Sequence, residues 1–221
     1  MNLMNLQILT SYHLKIIAII TMVIDHIGII FFPSESIFRI IGRIAFILFA
    51  FMIAEGMKHS KNENKYIIRL FLWALVSEVP FDLAFYNTWL EINHQNVLLT
   101  FVIATIGIHA LKSDLSKLSK TMVLLCTIIA SITLNVDYGL YGIAIIHAFY
   151  WIKDKAIKLV TVQILSIVAT FTSIQIWAGI ALLILPFYNG RKGKNIGKLA
   201  YVIYPLHMAL LYITKQVIKV L

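Results

Sequence analysis

Ionisable side chains interrupt the first two long apolar runs of this sequence. Asp25 and His26 lie within the first run, and Arg39 and Arg43 lie within the second. On insertion scales a charged side chain at the centre of a membrane helix costs about 2.5–3.5 kcal/mol, and such residues commonly mark functional sites. A histidine can act as a general base, and an arginine can stabilise negative charge that develops during a reaction. We therefore expect Asp25, His26 and Arg43 to form a polar site inside a bundle of membrane helices.

The other candidate site residues follow the same pattern of polar groups in or beside apolar runs. Residues three or four apart share one face of a helix, which pairs Tyr204 with His207. The predicted catalytic residues are His26, Asp25, Arg43, His207 and Glu78. The residues predicted to bind substrate are Arg39, Asp82, Asn96, Asp137, Tyr138 and Tyr204.

Structural explanations stay open for the central residues. Asp25 and His26 would also fit a buried pair that only holds helices together. Arg43 would also fit a structural ion pair with Asp25 or Glu78. The base is open as well: we favour His26, oriented by Asp25 or Glu78, and His207 is the rival candidate.

The composition places these residues in a membrane protein. Hydrophobic residues make up 60% of the 221 residues and charged residues 13%, and the mean hydropathy is +0.87. Soluble domains have about 45–50% apolar and about 25% charged residues, so a soluble chain of this length could not bury its apolar surface. The continuous runs exclude the alternating strands of a membrane β-barrel. The net charge of +9 comes mostly from short loops, which favours a topology signal over nucleic-acid binding.

We predict an all-α fold, a single polytopic transmembrane domain over residues 1–221 with about nine spans. We do not expect the first run to be a cleaved signal peptide, because Asp25 and His26 interrupt it. Only Thr172, Ser173 and Gln175 separate the seventh span from the eighth, so eight spans is the alternative. The predicted spans are Leu14–Phe32, Ile37–Met57, Tyr66–Phe85, Val97–Leu111, Thr121–Leu134, Tyr138–Ile152, Ala156–Thr172, Ser173–Tyr188 and Leu199–Val217.

Loop charges predict the orientation of the bundle. Basic residues fill the loops after the second, fourth, sixth and eighth spans, whereas the loops between them contain no lysine. This alternation predicts a multi-pass protein of the inner (cytoplasmic) membrane with its N-terminus in the cytoplasm. The predicted site then lies in the outer half of the bundle. Lys215 and Lys219 depart from the pattern, because they would lie at the outer end of the last span.

Other chemistries lack a sequence motif. The histidines are dispersed and Cys126 is the single cysteine, so we expect no metal site and no intrachain disulfide. Walker-type phosphate loops and GxSxG motifs are missing from the sequence. The glycine-rich loop 189–198 is a candidate for binding an anionic cofactor through Arg191, Lys192 and Lys194. A plain cytoplasmic basic loop is the simpler explanation.

Several strings of this sequence resemble the TraX family. They cover most of the chain from about Leu14 to Tyr212, and the combination of DHIG, RIAF, SEVPFDL and YPLH carries the resemblance. One departure is Ile47, where the family often has a proline. The strings are LKIIAIITMVIDHIG, GRIAFILFAFMIAEG, YIIRLFLWALVSEVPFDLAF, QNVLLTF, DYGLYGIAII and LAYVIYPLHMALLY.

The resemblance implies N-terminal acetylation of a pilin subunit, and a distant similarity to multi-span acyltransferases that use cytoplasmic acyl-CoA. We therefore expect acetyl-CoA as the donor, bound by Arg191, Lys192 and Lys194. The acceptor would be an amine or another nucleophile on a peptide, a pilin or an envelope polymer. A proton-coupled transporter of a small solute and a non-enzymatic factor for pilus or envelope assembly are the alternatives.

Overall fold

The structure is a computed structural model that describes residues 7–168, 173–196 and 199–220. These residues form nine α-helices, and the 3₁₀ helices Ser173–Ala178 and Leu185–Phe187 flank the eighth. Isolated bridges join Leu9 to Tyr188 and Gln95 to Val136. The helices are α1 (Ser11–Phe31), α2 (Ser36–His59), α3 (Glu63–Tyr86), α4 (Val97–Lys112), α5 (Lys117–Thr133), α6 (Gly139–Trp151), α7 (Lys155–Val168), α8 (Gly179–Ile184) and α9 (Leu199–Val220).

The prediction of an all-α fold is confirmed for the described residues. The ends of α1 to α6 and of α9 lie within about one helical turn of the predicted bounds. The eighth predicted span differs, because it consists of two 3₁₀ segments around the six residues of α8. The predicted turn at Thr172 lies outside the described residues.

Two of the described helices, α1 and α2, are both long enough and apolar enough to cross a membrane. Three apolar helical segments are shorter, namely α4, α6 and Ile174–Phe187. Large apolar side chains are exposed along other helices, which suits a surface covered by lipid. The protein is therefore membrane-associated. Examples of these side chains are Leu72, Val76, Ile129, Ile132, Val160, Ile164, Leu210 and Ile213.

The lysine-rich loops meet at one end of the bundle, which we call the basic end. Glu63 at the start of α3 accepts hydrogen bonds from Lys112 and pairs with His109 at 2.7 Å, both at the end of α4. Lys58 at the end of α2 donates to the carbonyl of Phe149 in α6 at 2.9 Å. These contacts join α3 to α4 and α2 to α6 at this end.

The loops without lysine meet at the other end, which we call the opposite end. The backbone N–H of Gln95 donates to the carbonyl of Asn135 at 3.3 Å, which joins the loops before α4 and α6. Lys215 near the end of α9 donates to the carbonyl of Ala84 in α3 at 3.4 Å. The alternation of charge along the sequence thus corresponds to two ends of one bundle.

Helix α2 is enclosed by its neighbours. It contacts α1, α4, α6 and α8. Small residues, namely Gly42, Ala45, Ala50 and Ala54, are buried along it and let the neighbouring backbones approach closely. The position of α2 therefore determines which residues of α1 and α6 face the interior.

A methyl group at position 42 would collide with Asp25, because a Cβ there would lie 2.1 Å from Oδ1 of Asp25. We expect Gly42→Ala to separate α1 from α2 and to lower the free energy of unfolding by about 1–3 kcal/mol, as overpacking does. Unfolding of the purified protein in mixed micelles measures the change.

The control for this prediction is Gly107→Ala in α4. Its added Cβ would lie 3.1 Å from the ring of His147, and that contact needs only a small adjustment. We expect a smaller loss of stability than for Gly42→Ala. If both variants were as stable as the wild type, the close packing of Gly42 on Asp25 would be wrong.

Candidate active site

A cavity of about 670 Å³ lies among α1, α2, α3, α4, α6 and α9, and we call it the polar cavity. Polar side chains from several helices line it together, as the sequence predicts for many of them. Phe46, Phe81 and Phe85 supply part of its apolar surface. The predicted site residues in its lining are Asp25, His26, Arg39, Arg43, Asp137, Tyr138 and Tyr204.

Two histidines meet at this cavity. Nδ1 of His26 lies 2.7 Å from Nε2 of His207. Their rings stack with centroids 5.0 Å apart and planes 10° apart. His26 lines the cavity, whereas His207 is buried beside it on α9. The structure thus joins the two candidate bases into one pair.

When both rings are neutral, their hydrogen bonds determine which ring nitrogens carry a proton. Nδ1 of His207 lies 2.9 Å from the carbonyl of Ile203, and because a carbonyl only accepts, this nitrogen carries a hydrogen. Nε2 of His207 then accepts the hydrogen bond from Nδ1–H of His26. The lone pair of His26 is left on Nε2, the form that a general base requires.

The carboxylate of Asp25 binds arginines from α2. Nη1 of Arg39 donates to both carboxylate oxygens at 2.9 Å, and Nη2 of Arg43 lies 3.7 Å from Oδ1. Nε of Arg43 donates to the carbonyl of Arg39 at 3.1 Å. The guanidinium of Arg43 also lies 5.6 Å from the ring centroid of Tyr138. The expected Asp25 partner of His26 is therefore replaced by a second histidine.

Glu78, the other carboxylate expected beside His26, supports the start of α4. It accepts a hydrogen bond from the side chain of Asn96, which is fully buried. The same amide nitrogen donates to the carbonyl of Ala74 at 3.0 Å. The amide oxygen of Asn96 accepts from the N–H of Leu98 at 2.9 Å and caps the helix. Glu78 and Asn96 therefore position the cavity wall.

Asp82 and Asp137 fix the loops at the opposite end. Oδ2 of the buried Asp82 accepts from the N–H of Glu91 at 2.9 Å. The N–H of Asp137 donates to the carbonyl of Gln95 at 2.9 Å. Burial raises the pKa of the Asp137 carboxyl, and the nearby His94 opposes that rise. Asp137 lines the polar cavity, whereas Asp82 accepts a hydrogen bond from the backbone of the loop before α4.

Some lining residues are not predicted from the sequence. His94 lies in the loop before α4, and its ring stacks on Phe81 with centroids 6.0 Å apart. Gln175 and Tyr141 also line the cavity. A histidine in a loop has no periodicity that would assign it a direction, so no sequence signal places His94 at the site.

A second cavity of about 740 Å³ adjoins the first, and we call it the basic cavity. The two cavities adjoin at a shared wall of side chains that line both, namely Met22, Phe49, Val97, Phe101 and Tyr204. The basic cavity reaches residues of the basic end, including the segment between α8 and α9. A molecule bound there would approach the polar cavity from the side opposite to its loops.

The three predicted cofactor residues, Arg191, Lys192 and Lys194, differ in whether they line a cavity. Lys192 lines the basic cavity. Arg191 and Lys194 are exposed and are not part of either cavity lining in the part of the chain that the structure describes.

Residues 11–215 match the family described as TraX protein. The chain belongs to the TraX family. A TraX-family fold thus carries the His26–His207 pair and the two cavities described above. No solved structure matches the chain significantly.

Three curated proteins are similar to this TraX-family chain. One from Dichelobacter nodosus, named "Probable fimbrial assembly protein FimC, serogroup H1", is 29% identical over 245 residues, 95% of this chain and 97% of that protein. "Protein TraX" of Escherichia coli is 26% identical over 150 residues, 66% of this chain and 58% of that protein. An uncharacterized protein of Rickettsia prowazekii (strain Madrid E) is 28% identical over 172 residues, 75% of this chain and 64% of that protein.

Breaking the ion pairs of Asp25 tests the centre of this site. Asp25→Asn leaves the buried Arg43 without its anionic partner, and such losses typically cost about 3–5 kcal/mol. We expect Asp25→Asn to lower the free energy of unfolding by an amount in that range. Arg43→Gln should lower it by less, because Arg39 still pairs with Asp25, and the double variant should lose less than the sum of the two. Strictly additive losses would show that the two side chains are not coupled.

Proposed function

We propose that this protein is a membrane-embedded acyltransferase that moves an acetyl group from acetyl-CoA to an amine or another nucleophile of an envelope acceptor. The observation that carries the proposal is the contact between His26 and His207, which leaves a basic nitrogen on a cavity that also contains Arg43. Membership of the TraX family supports it, because the resemblance to that family implies acetylation of a pilin N-terminus.

The reaction joins an acceptor nitrogen to the thioester carbonyl. Nε2 of His26 takes a proton from the acceptor amine while the nitrogen lone pair attacks the carbonyl carbon. The C–S bond then breaks, the CoA thiolate leaves, and the proton on His26 neutralises it. His207 holds the ring of His26 in the required tautomer, as the third group that orients the base commonly does in catalytic triads.

Arg43 stabilises the negative charge that forms on the carbonyl oxygen. Its guanidinium is buried and held by Asp25, by the carbonyl of Arg39 and by the ring of Tyr138. These contacts fix the guanidinium before the reaction, so little reorganisation is needed in the transition state. Arg39 is more exposed and binds Asp25, so we assign it to positioning.

We place the basic end in the cytoplasm and the polar cavity toward the outer face, in a nine-span bundle of the inner membrane. The positive-inside rule supports this orientation. Acetyl-CoA then reaches the basic cavity from the cytoplasm, and the acceptor reaches the polar cavity from the opposite end. The shared wall of the two cavities is where the two substrates meet.

The name of the Dichelobacter nodosus relative, a fimbrial assembly protein, favours a pilin or fimbrial subunit as the acceptor. The same name also suits a second candidate function, a non-enzymatic assembly factor. An assembly factor needs the shape of the site and not its proton chemistry. Variants that keep shape and remove basicity therefore distinguish the two functions.

We expect His26→Asn to lower acetyl transfer at least 100-fold, because general-base catalysis typically contributes about 10²–10⁴-fold. The assay uses purified protein, labelled acetyl-CoA and peptides that carry a free N-terminal amine. Acceptors with a free hydroxyl group are tested in parallel for O-acetylation. The fold of each variant is confirmed by its melting temperature. Near-normal transfer by His26→Asn would remove His26 from the mechanism.

The matched control is His147→Gln. His147 lies on α6, where Nε2 is 3.2 Å from the carbonyl of Ala104, and it is not part of either cavity lining among the described residues. We expect it to transfer acetyl groups at the wild-type rate. If the wild type transferred none while His26→Asn still supported pilus assembly in cells, the assembly factor would be the better account.

A further inference from the structure

The basic cavity carries an excess of positive charge. Lys15 of α1, Arg69 of α3 and Lys192 all line it. Glu55 supplies a carboxylate to the lining, but Lys58 neutralises it at 3.1 Å. Cations brought together from three separate parts of the chain repel one another unless an anion lies between them. The cavity is therefore suited to a ligand with several negative charges.

The segment that carries Lys192 is fixed by backbone hydrogen bonds to the start of α1. The N–H of Ser11 donates to the carbonyl of Arg191 at 2.9 Å, and that of Tyr12 donates to the carbonyl of Lys192 at 3.1 Å. Lys15 follows one helical turn later, so both lysines belong to one connected structure. Gly193 has a φ of +68° and packs on Thr10, where any Cβ would collide.

Arg69 is held by aromatic rings. Its Nε donates to the hydroxyl of Tyr201 at 3.3 Å. Its guanidinium lies 5.4 Å from the ring centroid of Tyr66 and 5.5 Å from that of Tyr201. Both tyrosines line the cavity beside it. A guanidinium held by flat rings is a preorganised contact for phosphate.

The other side of the basic cavity is apolar and leads to the polar cavity. The shared wall includes Met22, Phe49 and Phe101, which are flexible or flat side chains around the point closest to the polar cavity. Phosphates bound by the three cations would therefore leave an attached uncharged arm directed at this wall. A phosphate-bearing nucleotide with a slender thioester arm has this combination of charge and shape.

We propose that the basic cavity is the binding site for the nucleotide and phosphates of a CoA thioester, with Lys15, Arg69 and Lys192 as the phosphate contacts. The arm then runs to the wall formed by Met22, Phe49 and Phe101. The identity of the donor rests on the proposed acyl transfer, whereas the phosphate site rests on the cavity and its three cations. Lys15 and Arg69 extend the predicted set of cofactor residues.

The experiment measures the Kd of CoA for the full-length protein in nanodiscs of zwitterionic lipid. We expect Lys15→Gln and Arg69→Gln each to weaken binding about 10-fold or more, since a hydrogen bond to a charged group contributes about 1.5–3 kcal/mol. Lys65→Gln is the matched control, because Lys65 is an exposed cation one turn before Arg69 in α3. It should leave the Kd unchanged.

Two further variants separate binding from folding. Lys15→Arg keeps the charge and should retain CoA binding. Ala200→Trp fills the cavity without removing a charge, because Ala200 is in its lining, and should abolish binding. Pantetheine, which has the arm without phosphates, should bind far more weakly than CoA. Unchanged binding in both Lys15→Gln and Arg69→Gln would overturn the site.

A lipid headgroup could offer the same phosphate chemistry. Nanodiscs that contain phosphatidylglycerol test this source. CoA should bind in them as tightly as in zwitterionic nanodiscs, and free phosphate should not compete with it. Binding of the anionic lipid with no binding of CoA would overturn the nucleotide assignment. CoA binding that depends on Lys15 and Arg69 would support the site even if the wild type transferred no acetyl group, and the proposed function alone would then fail.

Discussion

The ion pairs between Asp25 and the two arginines of α2 are the interaction on which the site depends. A carboxylate and a guanidinium in an apolar interior are stable only together, so Asp25 must face Arg39 and Arg43. Successive residues of a helix project about 100° apart, so this constraint on α1 turns His26 away from α2. His26 consequently reaches His207 on α9 and lines the polar cavity.

The second constraint is the shared wall between the two cavities. The proposed acyl transfer requires two substrates to meet while the two aqueous sides of the membrane stay apart. Side chains that line both cavities, such as Phe49 and Tyr204, form a common layer between them. The buried Arg43 and the histidine pair lie on one side of this layer, and the cluster of Lys15, Arg69 and Lys192 lies on the other.

The sequence predicts the helices well, because long apolar runs and charged loops are strong local signals. It also predicts that polar residues of distant helices gather in one place. It does not predict the partners: His26 and His207 are 181 positions apart, and nothing in either helix indicates that their rings meet. Lys15 and Arg69 resemble ordinary interfacial cations in the sequence, and only their shared cavity distinguishes them. Glu78 accepts a hydrogen bond from Asn96 at the start of another helix, and the spacing of residues in the sequence does not predict that contact.

The most direct measurement is a structure of the protein in nanodiscs with a thioether analogue of acetyl-CoA that cannot transfer its acyl group. The account predicts the carbonyl carbon of the analogue at the shared wall, within roughly 5 Å of Nε2 of His26, which leaves hydrogen-bonding distance for an acceptor nitrogen between them. A carbonyl held on the far side of the basic cavity, or an analogue bound away from both cavities, would contradict it.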